Sequence, residues 1–164
     1  LRDRFGIVDR LDTYTPDELY TIIKRSADII GATIDNDAAK EIANRSRGTP
    51  RIANRILKRV VDFGTVLNDG QINLEVAKVA LHKLGIDDLG LNETDRKLLN
   101  EIYHTYNKGP VGIDALASSL DEENDTIEDV YEPYLMQIGF ISRTPRGRIV
   151  LPTAYKHLGI EYKE

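Results

Sequence analysis

A threonine–proline pair stands at the start of two long segments in which apolar residues recur at helical spacing, first at Thr15-Pro16 and again at Thr49-Pro50. Threonine is a favoured helix N-cap, and proline is tolerated in the first helical turn because no hydrogen bond is lost there. The apolar repeat runs to Gly31 after the first pair and to Leu67 after the second. Short amphipathic helices bury their apolar faces against one another, so the sequence predicts a small helical bundle.

Two further helices complete this bundle. One is predicted from Asp35 to the pair Arg47-Gly48, and the other from the cap residue Asn73 to Leu84. The first 14 residues have the pattern of a short strand followed by a connector. We therefore expect a four-helix domain over residues 15–86, followed by a hinge at 85–90 that contains two glycines and two acids.

A different order of elements is predicted over residues 87–164. Helices are expected at 94–106, 113–120 and 126–138, with a short extended break after the first of them. Two extended runs, at 140–143 and 148–151, then flank a turn that contains proline and glycine. This order is typical of a winged helix, in which the final β-hairpin is the wing. The expected fold class is thus mainly α: a four-helix domain followed by a winged-helix domain with a short β-hairpin.

Composition excludes several classes of function. The chain has no cysteine, which rules out thiol catalysis, disulfide scaffolds and cysteine-type zinc sites. The three histidines lack metal-ligand spacing, and neither a GxxxxGK[ST] loop nor a serine elbow is present, so we predict no metal site and no complete enzyme. Nothing resembles a signal peptide or the ~20-residue apolar stretch of a membrane helix, so a cytoplasmic setting is expected. Because Met136 is the only methionine, we expect a piece of a longer protein.

Charge is unevenly distributed along the chain, although its formal sum is only −5. Residues 121–132 contain seven acids and no base, whereas residues 137–160 contain four bases and no acid. Residues 45–59 contain six bases and no acid. Within that run, Arg51 lies in the first turn of a predicted helix, where a cation opposes the helix dipole and a bound anion would be stabilised. An anionic partner and a merely solvated basic face both remain open at this point.

Four segments together give a more specific indication. They are LRDRFG at 1–6, RSRGTPRIANR at 45–55, TIEDVYEPY at 126–134 and RTPRGR at 143–148. In this order they resemble the RuvB family of hexameric AAA+ ATPases. The resemblance covers essentially the whole chain. It implies the end of a large ATPase domain at residues 1–14, then the small helical lid domain, then the winged-helix head. It further implies a part in Holliday-junction branch migration, in DNA recombination, repair and the SOS response.

The resemblance assigns ATP-related roles to four residues. Arg4 matches best the arginine that reaches the γ-phosphate bound by a neighbouring subunit, with Arg2 as a competitor because it lies on the same face of a strand. Arg51 matches the sensor-2 arginine, which contacts nucleotide bound by its own subunit, and Pro50 precedes it. Tyr14 matches a tyrosine near the nucleotide. ATP and its Mg²⁺ would be held mainly by the large domain, so we expect this chain alone to be inactive as an ATPase.

For DNA, the resemblance implies contacts from Arg143 and Arg148, with Arg146 at the tip of the wing. Lys156 is a further candidate because it belongs to the same acid-free basic stretch. The proline and glycine of the tip predict a rigid turn that holds these arginines outward. Three phosphate contacts would give a slope of log affinity against log salt of about −3. The loop around Asn124 is basic in some family members and acidic here, which would make a DNA contact from Asn124 weaker.

The partners implied are duplex DNA at Holliday junctions, other copies of the chain in a hexameric ring, RuvA through the large domain, and RuvC in the resolving complex. Three alternatives differ in testable ways. A winged-helix transcription regulator with a helical dimerisation domain would need a base-reading third helix, but the predicted third helix is acidic. Another AAA+ DNA-remodelling protein would not need this wing sequence, and a purely protein-binding winged helix would have no DNA affinity.

Overall fold

The computed structural model of this chain describes residues 13–160. The predicted strand and connector, and with them Arg2 and Arg4, therefore lie outside the described residues apart from Thr13 and Tyr14. The chain divides into two compact units between Gly90 and Leu91. Among the residues described, no helix is both long and apolar enough to span a membrane.

Within the described residues of the first unit there are four α-helices, as predicted. They are α1 (Pro16–Ile30), α2 (Asn36–Asn44), α3 (Pro50–Leu67) and α4 (Leu74–Lys83). The Thr15 hydroxyl accepts a hydrogen bond from the Glu18 amide at 3.2 Å, and the Glu18 carboxylate accepts one from the Thr15 amide at 2.9 Å. This capping box satisfies two N–H groups that a helix end leaves free. Gly31 adopts the left-handed conformation and ends α1, as a glycine at this position predicted.

The core of the first unit is apolar and comes from all four helices. Its largest fully buried side chains are Leu19, Ile23, Ile42, Leu57, Ile72 and Leu81. Two short strands that were not predicted, β1 (Thr33–Ile34) and β2 (Gln71–Ile72), pair in parallel beside the helices. They bury Ile34 and Ile72, and each is too short to give a strand pattern in the sequence. Leu67, expected on the apolar face of α3, is instead 52% exposed because it is the last residue of the helix.

The helices of the second unit lie where the sequence predicts them, but two of them contain π-helical turns. The first is α5 (Glu93–Asn100), which continues as a π-helical turn over Glu101–Thr105, and the second is α6 (Ile113–Leu120). The third begins as α7 (Asn124–Thr126), widens to a π-helical turn over Ile127–Tyr131 and ends as α8 (Glu132–Gln137). A short α9 (Pro152–His157) was not predicted. Val130, an apolar residue of the predicted third helix, is 59% exposed within the widened turn.

The wing is an antiparallel hairpin of β3 (Ile141–Thr144) and β4 (Gly147–Val150), in which Arg143 lies opposite Arg148. Val111, from the segment before α6, exchanges two backbone hydrogen bonds with Arg148, of 2.8 and 2.9 Å. Gly147 has φ +132°, and a Cβ there would lie 2.3 Å from the carbonyl oxygen of Val111. A side chain at this position would prevent the close approach of the two segments. The mainly helical fold with a lid-type bundle and a winged helix is thus confirmed.

Candidate functional sites

The first candidate site lies at the beginning of α3. The main-chain N–H of Tyr14 donates to the carbonyl of Gly48 at 2.9 Å, two residues before α3 begins. Gly48 has φ +68°, and a Cβ there would lie 2.8 Å from the Cβ of Thr13. The structure thus brings Tyr14 next to the segment that leads into Pro50 and Arg51.

This end of α3 is suited to an anion. Thr49 does not cap the helix as its position predicted; its hydroxyl donates to the carbonyl of Arg47 instead. The first turn carries no acid, and the side chain of Arg51 is exposed. A helix N-terminus without a side-chain cap presents N–H groups and a positive dipole end, to which an exposed guanidinium adds a full charge.

The basic run at 45–59 is not one continuous surface. The guanidinium of Arg45, only 12% exposed, pairs with the carboxylate of Glu41 and with that of Asp88 at 2.9 Å. It also donates to the Ile86 carbonyl at 3.2 Å. Arg45 therefore ties α2 to the segment after α4. The exposed bases that remain are on α3: Arg51, Arg55, Lys58 and Arg59.

The second candidate site is the wing, where the arginines are not equally available. Glu132 is fully buried, and each of its two carboxylate oxygens accepts hydrogen bonds from one arginine. Oε1 accepts from Nε of Arg148 at 2.6 Å, and Oε2 accepts from Nε of Arg143 at 2.8 Å and also from its Nη2. The pairing of Glu132 with these arginines was not predicted. Glu132 lies 11 residues before Arg143 in the sequence. Only the packing of α8 on the hairpin brings the two charges together.

Glu128 completes this group, which we call the wing cluster: Glu128, Glu132, Arg143 and Arg148. Nη2 of Arg148 donates to Oε1 of Glu128 at 2.5 Å, and Nη2 of Arg143 lies 3.9 Å from the same oxygen. Burial of Arg148 lowers its pKa, but the hydrogen bonds and charges of Glu132 and Glu128 outweigh this effect, so the pKa is raised above its usual value. The spacing of four residues between the two acids, which places them on one helical face, was the one signal in the sequence.

The predicted DNA-contacting residues differ in how much of each side chain is exposed to solvent. The side chain of Arg148 is 11% exposed and that of Arg143 is 44% exposed, so the expectation that the turn holds every arginine outward is wrong for Arg148. Arg146 at the tip is exposed, and no carboxylate within residues 13–160 pairs with it. Lys156 is exposed on α9. The Asn124 amide donates to Asp114 at 2.7 Å, which gives it a role within the protein.

No group of three or more histidine, aspartate and glutamate side chains in the described part of the chain could hold a metal ion. The two candidate surfaces instead present guanidinium groups, which suit phosphate oxygens.

Two family descriptions match consecutive parts of the chain. Residues 14–87 match the RuvB AAA lid domain, and residues 88–159 match the RuvB C-terminal winged helix domain. The chain belongs to the RuvB family. The resemblance seen in the four sequence segments is thereby confirmed.

Individual RuvB proteins match nearly the whole chain. The Holliday junction branch migration complex subunit RuvB of Limosilactobacillus reuteri (strain DSM 20016) is 57% identical over 162 residues, which is 99% of this chain and 48% of that protein. The structure of the Thermotoga maritima RuvB Holliday junction branch migration motor superposes with a TM-score of 0.94 at 54% identity. That match covers 99% of this chain and 54% of the other. The chain thus spans about half the length of these RuvB proteins.

Proposed function

We propose that this chain is the lid and head of an ATP-dependent motor that moves Holliday junctions by branch migration. The observation that carries the proposal is the 57% identity, over essentially the whole chain, to a protein named as a branch migration complex subunit. In this proposal the lid responds to nucleotide and the winged helix grips DNA. Six copies would form a ring, RuvA would dock on the large domain, RuvC would join the resolving complex, and the setting would be the cytoplasm.

For nucleotide, the proposal assigns contacts to the residues at the start of α3. Arg51 would contact a phosphate of ATP held by its own subunit, with Pro50 and Tyr14 beside it. The uncapped helix end and the absence of an acid in the first turn support this assignment. ATP, held with Mg²⁺ mainly by the large domain, would supply the phosphoanhydride bond whose hydrolysis drives motion. Arg4 would act across the interface on nucleotide held by the next subunit.

For DNA, the proposal assigns contact to the wing rather than to the third helix. Glu128 and Asp129 on that helix would meet phosphates with like charge, whereas the wing carries Arg143, Arg146 and Arg148. Arginines on a hairpin suit backbone contacts, which carry no sequence information. A motor that slides over every sequence needs contacts of this kind. A transcription regulator would instead read bases with its third helix, which is acidic here.

The test uses the full-length protein, a synthetic four-way junction with homologous arms, and ATP. We expect ATP-dependent conversion of the junction to duplexes, with Arg51→Ala reducing ATP turnover by about 10²–10³. The matched control is Arg55→Ala, which removes an exposed arginine one turn further along α3. High-affinity binding to one duplex sequence without junction conversion would instead support the transcription-regulator alternative. ATP-driven work on DNA without junction conversion would support another AAA+ DNA-remodelling protein.

A further inference from the structure

The chain that leaves the lid is packed against the segment that leads into α3. Residues 45–48, which we call the 45–48 segment, connect α2 to the start of α3. Residues 86–90 follow α4 and lead into the winged helix. Gly90 has φ +78°, and a Cβ there would lie 2.5 Å from the carbonyl oxygen of Arg45 and 3.1 Å from Cγ of Arg47. The two stretches thus approach each other so closely that only glycine fits at position 90.

The side chain of Arg45 adds a second link to the leaving chain. Its Nη1 donates to the Ile86 carbonyl at 3.2 Å, and its Nη2 lies 2.9 Å from a carboxylate oxygen of Asp88. Glu41 on α2 accepts from Nε of the same guanidinium at 2.9 Å. The side chain of Asp88 is 89% exposed, so its ion pair contributes little, and the guanidinium is held mainly by Glu41 and the carbonyl of Ile86. Arg45 thus fixes the leaving chain to the end of α2.

The 45–48 segment is also fixed to the elements on both of its sides. Ser46 is fully buried, and its hydroxyl donates to the Ile42 carbonyl of α2 at 2.5 Å. The carbonyl of Ser46 accepts a hydrogen bond from the Thr49 N–H at 3.0 Å, one residue before α3 begins. Close-packed groups move together, because no free space is available to absorb a shift of one of them. A change at the start of α3 therefore extends to residues 86–90.

We propose that the 45–48 segment couples nucleotide contact at Arg51 to the position of residues 86–90, the chain that leads into the winged helix. Arg45 is the positioning residue of this coupling. The inference rests on the proposed function, since it requires a phosphate at Arg51. It goes beyond that function, because neither the 45–48 segment nor residues 86–90 contact a ligand in it. Couplings between binding sites are reciprocal, so a load on the winged helix would in turn alter the affinity of the full-length protein for ATP.

The test is amide hydrogen exchange of the full-length protein with and without a non-hydrolysable ATP analogue and Mg²⁺. We expect the analogue to slow exchange about fivefold or more at 45–51 and 86–90, and to change it less than about twofold at 68–70, beyond the other end of α3. In Arg45→Met the effect at 45–51 should persist, and the effect at 86–90 should fall below about twofold. Lys40→Met, which removes an exposed base from α2, is the matched control and should keep both effects.

Because Arg45→Met removes contacts that stabilise the lid, a second variant leaves the guanidinium in place. Gly90→Ala puts a Cβ 2.5 Å from the Arg45 carbonyl oxygen, which forces the leaving chain away from it, and should also abolish the effect at 86–90. An effect at 86–90 that is unchanged in both variants would overturn the coupling and leave the assignment of Arg51 in place. The same holds if the analogue slows exchange at 45–51 but not at 86–90 in the unmodified protein. An analogue that alters exchange at neither place would overturn the assignment of Arg51 as well.

Discussion

One oxygen of Glu132, which solvent does not reach, accepts a hydrogen bond from Nε of Arg148 at 2.6 Å across 16 residues of chain. This bond joins the acidic run at 121–132 to the basic run at 137–160, which are separate in the sequence. Two acids of the first run and two bases of the second thus meet at the root of the wing, where their charges cancel.

The close approach of the wing to Val111 makes Gly147 sensitive to substitution. Gly147→Ala would place a Cβ 2.3 Å from the Val111 carbonyl oxygen at a φ that other residues rarely adopt. We expect it to lower the free energy of unfolding of the winged helix by roughly 2–5 kcal/mol, from backbone strain and overpacking. Gly139→Ala is the control, since φ is +73° there but no atom lies within 4 Å of the added Cβ. Its cost should be only about 1–2 kcal/mol in urea unfolding. Equal losses would contradict the importance of the contact with Val111.

Arg45 should matter to the stability of the lid more than the other bases of its run. Arg45→Ala removes hydrogen bonds to Glu41 and to the Ile86 carbonyl, together with the ion pair to Asp88. Since hydrogen bonds to charged groups contribute roughly 1.5–3 kcal/mol, we expect a loss of this order in urea unfolding of the lid. Arg55→Ala, on the exposed face of α3, should change stability by no more than about 0.5 kcal/mol. Similar values for the two variants would show that the contacts of Arg45 with Glu41, Ile86 and Asp88 are energetically neutral.

Tyr131 should make the winged helix less stable in alkaline solution. Burial raises its pKa, as do the hydrogen bond that its hydroxyl donates to Glu122 at 3.1 Å and the charge of that carboxylate. Above about pH 10 the unfolded chain loses this proton more readily than the folded one, so the contribution to stability is complete below pH 10 and falls as the pH rises further. In Tyr131→Phe the decline in unfolding free energy between pH 9 and pH 11 should be smaller than in the unmodified chain. An unchanged decline would contradict the assignment to Tyr131.

The chain alone should hydrolyse no ATP. Its sequence has no GxxxxGK[ST] loop to hold the β- and γ-phosphates and Mg²⁺, so the groups that carry phosphoryl transfer are not present together. Release of inorganic phosphate from ATP should stay at the background rate at any concentration of purified chain. Turnover that copurifies with the chain through successive columns would contradict the proposed division of labour between the lid and the large domain.

Mixing experiments with the full-length protein should distinguish Arg4 from Arg51. A variant that lacks Arg4 should bind ATP without hydrolysing it, and mixing it with a variant that has a defective GxxxxGK[ST] loop should restore some turnover. Rescue is expected because some mixed interfaces pair an intact pocket with an intact Arg4. Arg51→Ala should gain nothing from the same partner, since both lesions affect one subunit's pocket. Equal rescue of the two variants would show that their roles within and between subunits are wrongly assigned.

The fold was predictable wherever local signals were strong. Thr15-Pro16 with Glu18 fixed the beginning of α1 because a capping box is a property of four consecutive residues. The β1–β2 pair was missed because a strand of two residues has no period, and its stability comes from a partner 38 positions away, as between Thr33 and Gln71. The widened π-helical turns were missed for a similar reason, since the apolar spacing of a single wide turn differs little from that of an α-helix.

The sequence predicted which charged residues the candidate sites contain, but not which of these residues pair with one another. The sequence indicated Arg51 correctly as an exposed base at the beginning of a helix, since its position depends on neighbouring residues alone. It did not indicate that Arg45 is bound by Asp88 or that Arg148 is bound by Glu132. Those pairs depend on tertiary packing, which brings together charges that are 43 and 16 residues apart. A run of one sign in the sequence is therefore a poor guide to the charge that a surface presents.

The bond between Tyr14 and Gly48 has a mechanical consequence. The side chain of Thr13 and the backbone of Tyr14 lie so close to Gly48 that no side chain fits there, and the Tyr14 N–H donates to the Gly48 carbonyl at 2.9 Å. Because this contact leaves no gap, we expect a displacement of Tyr14 to shift the segment that begins α3, and a ligand that moves Arg51 to shift Tyr14 in turn.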